Sequence, residues 1–200
     1  MNLIETCALV TGGASGIGEA TVRTIVSKGG KAAILDMDTK RGEKLCSELG
    51  PGVIFCKTDV TSETDVKSAI SNALDSFGKL NVVLNFAGIA AAVKTLGRDG
   101  PHDLDLFKKI VDVNLNGTFN VSRLAAEKIS KNEPNESGLT GVIINTASVA
   151  GYDGQKGQAA YVASKAGVIG LTLPLARALA SYGIRVNTIC LLYTSPSPRD

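Results

Sequence analysis

Tyr161 and Lys165 are the two residues whose types and spacing most clearly suggest chemistry. They lie four positions apart in Tyr-Val-Ala-Ser-Lys, in the first turns of a predicted helix over residues 159–181, so both side chains share one helical face. A free tyrosine ionises at about pH 10, and a neighbouring ammonium favours the phenolate. The pair could therefore act as a general acid or base toward a hydroxyl group. The alternative is a chance spacing on a solvated helix face.

Ser148 and Asn114 are two further polar residues that could assist such a reaction. Ser148 ends a predicted strand over residues 142–148, and its hydroxyl could stabilise a developing alkoxide; a turn-capping serine is the alternative. Asn114 lies inside a predicted helix over residues 103–130, where asparagine is not a favoured residue. Holding a water molecule that connects Lys165 to solvent would explain it, and a solvated surface asparagine is the alternative.

The segment Thr11–Gly18, Thr-Gly-Gly-Ala-Ser-Gly-Ile-Gly, predicts a phosphate-binding turn between a strand and a helix. Such a turn presents free backbone N–H groups and a helix N-terminus to a phosphate. Gly12 would allow the tight turn, Gly16 the close approach of a pyrophosphate, and Gly18 the packing of helix on strand. A glycine-rich turn without a ligand is the alternative.

Asp36 ends the second predicted strand, 18 positions beyond Gly18. A carboxylate about 20 residues beyond such a turn accepts hydrogen bonds from the ribose hydroxyls of a dinucleotide. Because Met37 follows it, a 2′-phosphate would meet the carboxylate charge without an adjacent cation. We therefore predict NAD rather than NADP, although Lys40 and Arg41 lie nearby. A solvated aspartate at a strand end is the alternative.

These residues need a scaffold, and the alternation of apolar and amphipathic segments predicts an α/β fold with a doubly wound parallel sheet, the Rossmann fold. The right-handed crossover rule gives the strand order 3-2-1-4-5-6. Ligands bind beyond the carboxyl ends of such strands, where the glycine turn, Asp36, Asp59 and Ser148 are all expected. One dinucleotide-binding domain over residues 1–189 is predicted. Its strands are predicted at residues 7–10, 31–36, 53–56, 80–84, 142–148 and 184–189.

Composition and charge narrow the function classes. A formal net charge of +2 gives no electrostatic argument for nucleic-acid binding. No stretch of the sequence is expected to be long and apolar enough to span a membrane. His102 is the single histidine, so neither a histidine-based triad nor a metal site is expected. Cys7 and Cys56 lie in predicted strands and are expected to be buried, reduced thiols. The N-terminus carries no secretory pattern, which favours an intracellular compartment.

Four motifs together resemble the short-chain dehydrogenase/reductase family. Each is weakly specific alone, but the combination is highly specific and extends over residues 3–189. The resemblance implies a Rossmann fold, a nicotinamide cofactor and oxidation of a secondary hydroxyl. The motifs are Thr-Gly-x-x-x-Gly-x-Gly at 11–18, Asn-x-Ala-Gly at 85–88, Ser148, and Tyr-x-x-x-Lys at 161–165.

The resemblance also implies roles for individual residues. It implies that Tyr161 is the general base, that Lys165 binds the nicotinamide ribose and tunes Tyr161, and that Ser148 polarises the reacting oxygen. It further implies Asn114 in the proton relay and Gln155 as a substrate contact. The implied cofactor contacts, besides Tyr161 and Lys165, are Gly12, Ser15, Gly16, Ile17, Gly18, Asp36, Asp59, Val60, Asn85, Phe86, Ala87 and Gly88.

A closer resemblance is to the family members that oxidise 3-hydroxyacyl-CoA thioesters. It is carried by segments such as Asp112–Val121 and Gly141–Ala150. It implies NAD-dependent oxidation of a 3-hydroxyacyl-CoA or a hydroxysteroid, a homotetramer, and a mitochondrial location, with the cytoplasm as the alternative. A non-catalytic subunit of a mitochondrial tRNA-processing complex is an alternative function. Phe86 stands where the family commonly has a second asparagine, which leaves the local hydrogen bonding open.

Residues 190–200 depart from the family pattern. The family continues with Pro-Gly, a substrate-binding loop, a helix and a seventh strand, whereas this chain reads Cys-Leu-Leu-Tyr-Thr-Ser-Pro-Ser-Pro-Arg-Asp. Ser-Pro-Ser-Pro cannot extend a central strand and favours an extended, solvated chain. We therefore expect a tail of non-native sequence, with the final strand and the substrate lid missing. An inert fragment is a third alternative.

Overall fold

The structure, a computed structural model, describes residues 2–98 and 100–192. Its centre is a six-stranded sheet in which every neighbouring pair of strands is parallel. With the strands numbered along the chain, their spatial order is β3-β2-β1-β4-β5-β6, which confirms the predicted doubly wound sheet. The strands are β1 (Cys7–Thr11), β2 (Lys31–Asp36), β3 (Val53–Lys57), β4 (Val82–Asn85), β5 (Gly141–Ser148) and β6 (Ile184–Leu191).

Helices cover both faces of the sheet because successive side chains of each strand point to opposite sides. The helices are α1 (Gly16–Ser27), α2 (Thr39–Leu49), α3 (Glu63–Phe77), α4 (Leu104–Val111), α5 (Gly117–Ile129) and α6 (Ala159–Leu179). Val10 and its even-numbered neighbours pack against Val22 of α1 and Leu45 of α2. Leu9 and its odd-numbered neighbours pack against Val66 of α3, and α5 and α6 cover the same face.

The predicted helix over residues 103–130 has the expected extent but is not uniform. α4 and α5 are joined by a π-helical segment, Asp112–Asn116, in which the N–H of Gly117 donates to the carbonyl of Asp112. A π segment adds one residue to a helical turn, and such segments are frequent at functional sites. The widened turn contains Asn114, so the helix irregularity falls on a predicted catalytic residue.

The start of β4 also differs from the prediction, which placed it at residue 80. The side chain of Asn81 adds bonds just before this start: its Oδ1 accepts from the N–H of Cys7 at 2.8 Å, and its Nδ2 donates to the carbonyl of Glu5 at 3.0 Å. The backbone of Asn81 also bonds both neighbouring strands, because its N–H donates to the carbonyl of Cys7 and its carbonyl accepts from the N–H of Val142, and the paired register begins at Val82.

β6 runs two residues farther than predicted, to Leu191, which pairs with Ser148 of β5. Cys190 and Leu191, assigned to the tail from sequence, therefore belong to the sheet, because a strand continues while its neighbour offers backbone partners. The rest of the predicted tail, from residue 193 onward, lies outside the described residues. The segment that follows β4 contains a short hairpin, Leu96–Gly97 with Gly100–Pro101.

The expectation that no segment is long and apolar enough to span a membrane is wrong for the helical region Ala159–Tyr182. This region has 24 residues, and an 18-residue window within it has a mean hydropathy of 1.3. It combines α6 with a following 3₁₀ turn and packs along β5 and β6. A helix that covers a sheet can therefore have the length and composition of a membrane-spanning helix. The prediction for Cys7 and Cys56 is confirmed: both thiols are buried and free, and burial raises the pKa of each.

Candidate active site

One cavity, called the first cavity below, lies at the carboxyl ends of the strands and has a volume of about 630 Å³. Its wall combines the glycine turn after β1, the end of β2, and the segments that follow β3 and β4. Eleven of the predicted cofactor residues line it together: Gly12, Ser15, Gly16, Ile17, Gly18, Asp36, Asp59, Val60, Phe86, Ala87 and Gly88.

The glycine turn leaves room for a ligand beside backbone N–H groups. Gly16 has a φ of 52°, and no atom lies within 4 Å of the position that a Cβ would take. A Cβ on Gly18 would overlap the carbonyl oxygen of Gly12, which explains the requirement for glycine where helix packs on strand. Ser15 precedes α1 without a side-chain capping bond, so the first N–H groups of the helix remain available to a phosphate.

Asp36 is held at the edge of the first cavity by two backbone groups. Its Oδ2 accepts from the N–H of Ala14 and its Oδ1 accepts from the N–H of Asp38, each at 3.0 Å. These bonds fix the carboxylate against the glycine turn and leave its remaining lone pairs for hydroxyl donors. The alternative of a freely solvated aspartate does not fit this arrangement.

Asp59 and Val60 border the same cavity on the segment after β3. Asp59 Oδ1 accepts from both the N–H and the hydroxyl of Thr61, at 2.9 and 2.7 Å. Its own N–H donates to Asp65, and this bond together with the Ser62 hydroxyl lowers the pKa of the Asp65 carboxyl. The local turn is therefore fixed by its own side chains before α3 begins.

Asn85, which was predicted to contact the cofactor, is not among the residues that line the first cavity. Its side chain is buried on the opposite side of the strand end, where Nδ2 donates to Asn145 Oδ1 at 2.9 Å and to Ser122 Oγ at 3.1 Å. Strand alternation explains this, because the side chain of a strand's last residue points toward one sheet face while the following backbone forms the cavity wall. Phe86 instead lines the cavity and packs on the core under α1 and α2.

The second cavity has a volume of about 510 Å³ and brings together the three residues predicted to act on substrate, Ser148, Gln155 and Tyr161. Ser148 Oγ accepts from the N–H of Ala150 at 3.2 Å, so the serine caps a turn and also faces the cavity. Accepting that bond leaves the serine's own O–H free to donate to a ligand oxygen.

Lys165 is buried beneath the two cavities, with only 5% of its surface exposed. Its Nζ donates to the carbonyl of Thr146 at 2.7 Å and lies 5.7 Å from the ring centroid of Tyr161, within cation–π range. Burial lowers the pKa of the Lys165 amine from 10.5 to about 8. The amine is therefore still protonated at neutral pH and places a positive charge beside the phenol.

Asn114 is fully buried, so the alternative of a solvated surface asparagine is wrong. Its Oδ1 accepts from the N–H of Ile89 at 2.8 Å, and its Nδ2 donates to the carbonyl of Ile89 at 2.9 Å and to Ser164 Oγ at 3.0 Å. Both amide hydrogens are thus used within the protein. Asn114 joins the segment after β4 to α6, and only one lone pair of its Oδ1 remains for a water molecule.

Sequence reasoning missed other residues that line the first cavity, among them Thr146 and Lys109. Thr146 lies two positions before Ser148 on β5, and residues two apart on a strand share a face, so this signal was present in the sequence. Lys109 lies on α4, and its position at the cavity depends on how that helix packs. Among the residues that the structure describes, no group of three His, Cys, Asp or Glu side chains could hold a metal ion.

The two cavities together suit an extended dinucleotide and a separate small ligand. The glycine turn offers N–H groups to phosphates and Asp36 offers a carboxylate to ribose hydroxyls. Tyr161, with Lys165 beneath it and Ser148 in the same cavity, can exchange a proton with a hydroxyl or carbonyl group. The residues present therefore fit a nicotinamide dinucleotide and redox chemistry at an alcohol carbon.

Comparison with known proteins gives a consistent result. The family profile described as "short chain dehydrogenase" matches residues 6–199. The chain is 52% identical over 184 residues to 3-hydroxyacyl-CoA dehydrogenase type-2 from Homo sapiens, covering 91% of this chain and 70% of that protein. It is 40% identical over 194 residues to a mitochondrial borneol dehydrogenase from Lavandula x intermedia, covering 96% of this chain and 71% of that protein.

Among solved structures, the fold is similar to the crystal structure of 3-hydroxyacyl-CoA dehydrogenase type-2 from Mycobacterium avium. The TM-score is 0.87 at 48% sequence identity, and the match covers 92% of this chain and 72% of that one. The similarity therefore extends over nearly the whole length of this chain.

Proposed function

Because the chain belongs to the short-chain dehydrogenase family, an oxidoreductase family that uses a nicotinamide cofactor, we propose that its substrate is a 3-hydroxyacyl-CoA or a hydroxysteroid and its cofactor NAD. The observation that carries the proposal is the placement of Ser148 and Tyr161 in one cavity, with Lys165 beneath the phenol and a dinucleotide-sized cavity beside them. The dehydrogenase names of the relatives support catalysis over the alternative of a non-catalytic subunit.

In the proposed mechanism Tyr161 accepts the proton of the substrate hydroxyl. The Lys165 ammonium favours the phenolate form of Tyr161 that acts as this base, because a nearby cation stabilises the ionised phenol. Ser148 donates its free O–H to the substrate oxygen and holds it against Tyr161. NAD, when bound, supplies the acceptor for the hydride that leaves the carbinol carbon, so the products are a ketone, NADH and a proton.

The residues that would hold NAD follow from the first cavity. The N–H groups after Ser15 would bind the pyrophosphate, Asp36 the adenosine ribose, and Lys165 the nicotinamide ribose. We propose that Asn114 assists the proton's exit through the remaining lone pair of its Oδ1, since its other hydrogen-bonding groups are occupied. Gln155, in the second cavity, would contact the acyl chain or the thioester.

Turnover of 3-hydroxybutyryl-CoA tests the proposed substrate class. We expect NADH absorbance to rise with this thioester and to fall when acetoacetyl-CoA and NADH are supplied in the reverse direction. Hydroxysteroids and simple secondary alcohols such as borneol serve as comparison substrates. Oxidation of the simple alcohols without oxidation of any 3-hydroxyacyl-CoA or hydroxysteroid would contradict the substrate class and leave the dehydrogenase chemistry intact.

Cofactor choice is expected to depend on the Asp36 charge. We expect the wild type to prefer NAD, and Asp36→Asn to raise kcat/KM with NADP relative to NAD by about 10-fold, since repulsion between nearby charges is worth about 1 kcal/mol or more. Asparagine keeps an acceptor for the N–H of Ala14, so the turn stays in place. The measurement is kcat/KM with each cofactor.

Asp38→Asn is the matched control for the Asp36 experiment. Asp38 caps α2 by accepting from the N–H of Arg41 at 3.0 Å and does not line the first cavity. Asparagine is an equally good N-cap, so this variant removes a charge two residues away without disturbing the helix. If the ratio of kcat/KM with NADP to kcat/KM with NAD is the same in the two variants, the role of Asp36 is refuted.

We also propose that the protein self-associates and acts in mitochondria. Self-association is supported by apolar side chains left exposed on the helices over one sheet face, such as Phe119 of α5 and Leu173 of α6. Mitochondrial location is supported only by the printed name of the lavender relative. Sedimentation analysis of the purified protein and microscopy of a fluorescent fusion test these two proposals.

A further inference from the structure

Ser164 is a buried hydroxyl in α6 for which the motifs and the mechanism above supply no role. The residue is fully buried and lies between Tyr161 and Lys165 in the chain. Its hydroxyl donates to the backbone carbonyl of Tyr161 at 2.7 Å and accepts from Asn114 Nδ2 at 3.0 Å. The serine therefore connects the backbone of the general base to the π segment between α4 and α5.

The connection continues through Asn114 to the cofactor cavity. Asn114 binds both the N–H and the carbonyl of Ile89, at 2.8 and 2.9 Å, and Ile89 lines the first cavity. Gly88 packs directly on this group: a Cβ there would lie 3.2 Å from Asn114 Oδ1 and 3.7 Å from Lys165 Nζ. A continuous chain of hydrogen bonds, buried at its centre between Asn114 and Ser164, thus runs from the cavity wall to Tyr161.

The first turn of α6 begins without a side-chain cap, and the bond from Lys165 to the carbonyl of Thr146 is one of the tertiary contacts that hold it. Gln158 precedes the helix and makes no side-chain capping bond, and the preceding residues form turns rather than a strand or helix. A helix start without a side-chain cap depends on tertiary contacts for its placement. The bond between Ser164 and Asn114 is such a contact, and it lies within one turn of both Tyr161 and Lys165.

We propose that Ser164 is a positioning residue that holds the first turns of α6, and with them the Tyr161 phenol, in register with the cofactor cavity. This role rests on the proposed dehydrogenase function. Losing the hydroxyl would leave one N–H of Asn114 without a partner and release the Tyr161 backbone from it. The substrate and cofactor contacts themselves would remain in place, so chemistry rather than binding would suffer.

Ser164→Ala tests this proposal. We expect kcat to fall by about 10-fold while KM for alcohol and NAD stays within about twofold, since a small displacement of the base impairs only the reacting geometry. We also expect the pH profile of kcat to shift, because the phenol would sit differently against Lys165. The substrate is any secondary alcohol that the wild type oxidises. Rates are divided by the concentration of NADH-binding sites, so that a loss of catalysis is distinguished from a loss of folded protein.

Thr172→Val is the matched control on the same helix. The Thr172 hydroxyl bonds the carbonyl of Val168 and the hydroxyl of Thr188, so the substitution also removes one intrahelical and one tertiary bond of α6. We expect its kcat and pH profile to match the wild type. If Ser164→Ala behaves like Thr172→Val, the positioning role is refuted while the proposed function stands.

A second variant covers the case in which Ser164→Ala does not fold. Ser164→Cys keeps a weak donor in a slightly larger side chain, and we expect a kcat below that of the wild type with a shifted pH profile. A kcat equal to that of the wild type, with an unchanged pH profile, would again refute the role. Absence of turnover in the wild type with every secondary alcohol would instead refute the proposed function itself.

Discussion

Tyr161→Phe is expected to lower kcat by about 10³-fold while leaving the affinity for NADH within about twofold of the wild type. Phenylalanine keeps the ring and its packing, including the ring face that lies 5.7 Å from the Lys165 ammonium. The substitution removes only the oxygen that accepts the substrate proton. Initial rates of NADH formation and fluorescence titration with NADH measure the two quantities separately.

Tyr152→Phe is the control for this experiment. Tyr152 lies near Tyr161 in the turn after β5, but its side chain is 73% exposed and does not line the second cavity. Removing its oxygen is expected to leave kcat unchanged. A Tyr161→Phe enzyme that keeps more than about a tenth of the wild-type kcat would contradict the assignment of the general base, because general-base catalysis contributes at least 100-fold.

Lys165→Met is expected to stabilise the ligand-free protein at neutral pH while abolishing turnover. The lysine is charged in a buried position, and the depression of its pKa from 10.5 to about 8 corresponds to a cost of about 3 kcal/mol in the free energy of unfolding at neutral pH. Methionine fills a similar space without a charge, although it leaves the carbonyl of Thr146 without its Nζ donor. Chemical unfolding over a range of pH values measures the effect.

The sign of the pH dependence distinguishes this explanation from a simple packing effect. Between pH 8 and 10.5 the unfolded lysine is protonated while the folded one is largely neutral, so the unfolded state binds more protons and wild-type stability rises with pH. Below pH 8 the whole cost is present, and above pH 10.5 it is absent. The stability difference between Lys165→Met and the wild type should therefore shrink by about 3 kcal/mol across this window.

Lys108→Met controls for general effects of removing a lysine, because Lys108 lies at an exposed position of α4 and bonds only Asp105. Its stability curve should run parallel to that of the wild type. If the free energy of unfolding of Lys165→Met also runs parallel to that of the wild type across this pH range, the explanation by a buried charge is contradicted. The expected gain in stability with loss of function indicates that the fold tolerates an unfavourable buried cation because the reaction requires one beside the phenol.

Much of the fold and part of the site followed from the sequence because they depend on local patterns. Period-two and period-3.6 hydrophobicity located the strands and helices, and the crossover rule then left one sheet order. The positions of Asp36, Ser148 and Tyr161 relative to strand ends and helix starts were enough to place them near the carboxyl edge of that sheet. The relative positions of residues within one helix or strand can be predicted without knowing how the elements pack.

The tertiary structure decided what depends on contacts between elements. Asn114 could be a surface residue or a buried one by sequence, and only the packing of α6 on the π segment buries it against Ile89 and Ser164. The same packing removes Lys165 from water and lowers its pKa, an effect that spacing from Tyr161 does not reveal. The motif that contains Asn85 predicted a contact with the cofactor, whereas the side chain of Asn85 bonds Ser122 and Asn145. The sequence thus determined which residues lie at the carboxyl edge of the sheet. The packed interior determined the direction of their side chains, their burial and their charge, because desolvation and hydrogen-bond pairing arise only where distant segments meet.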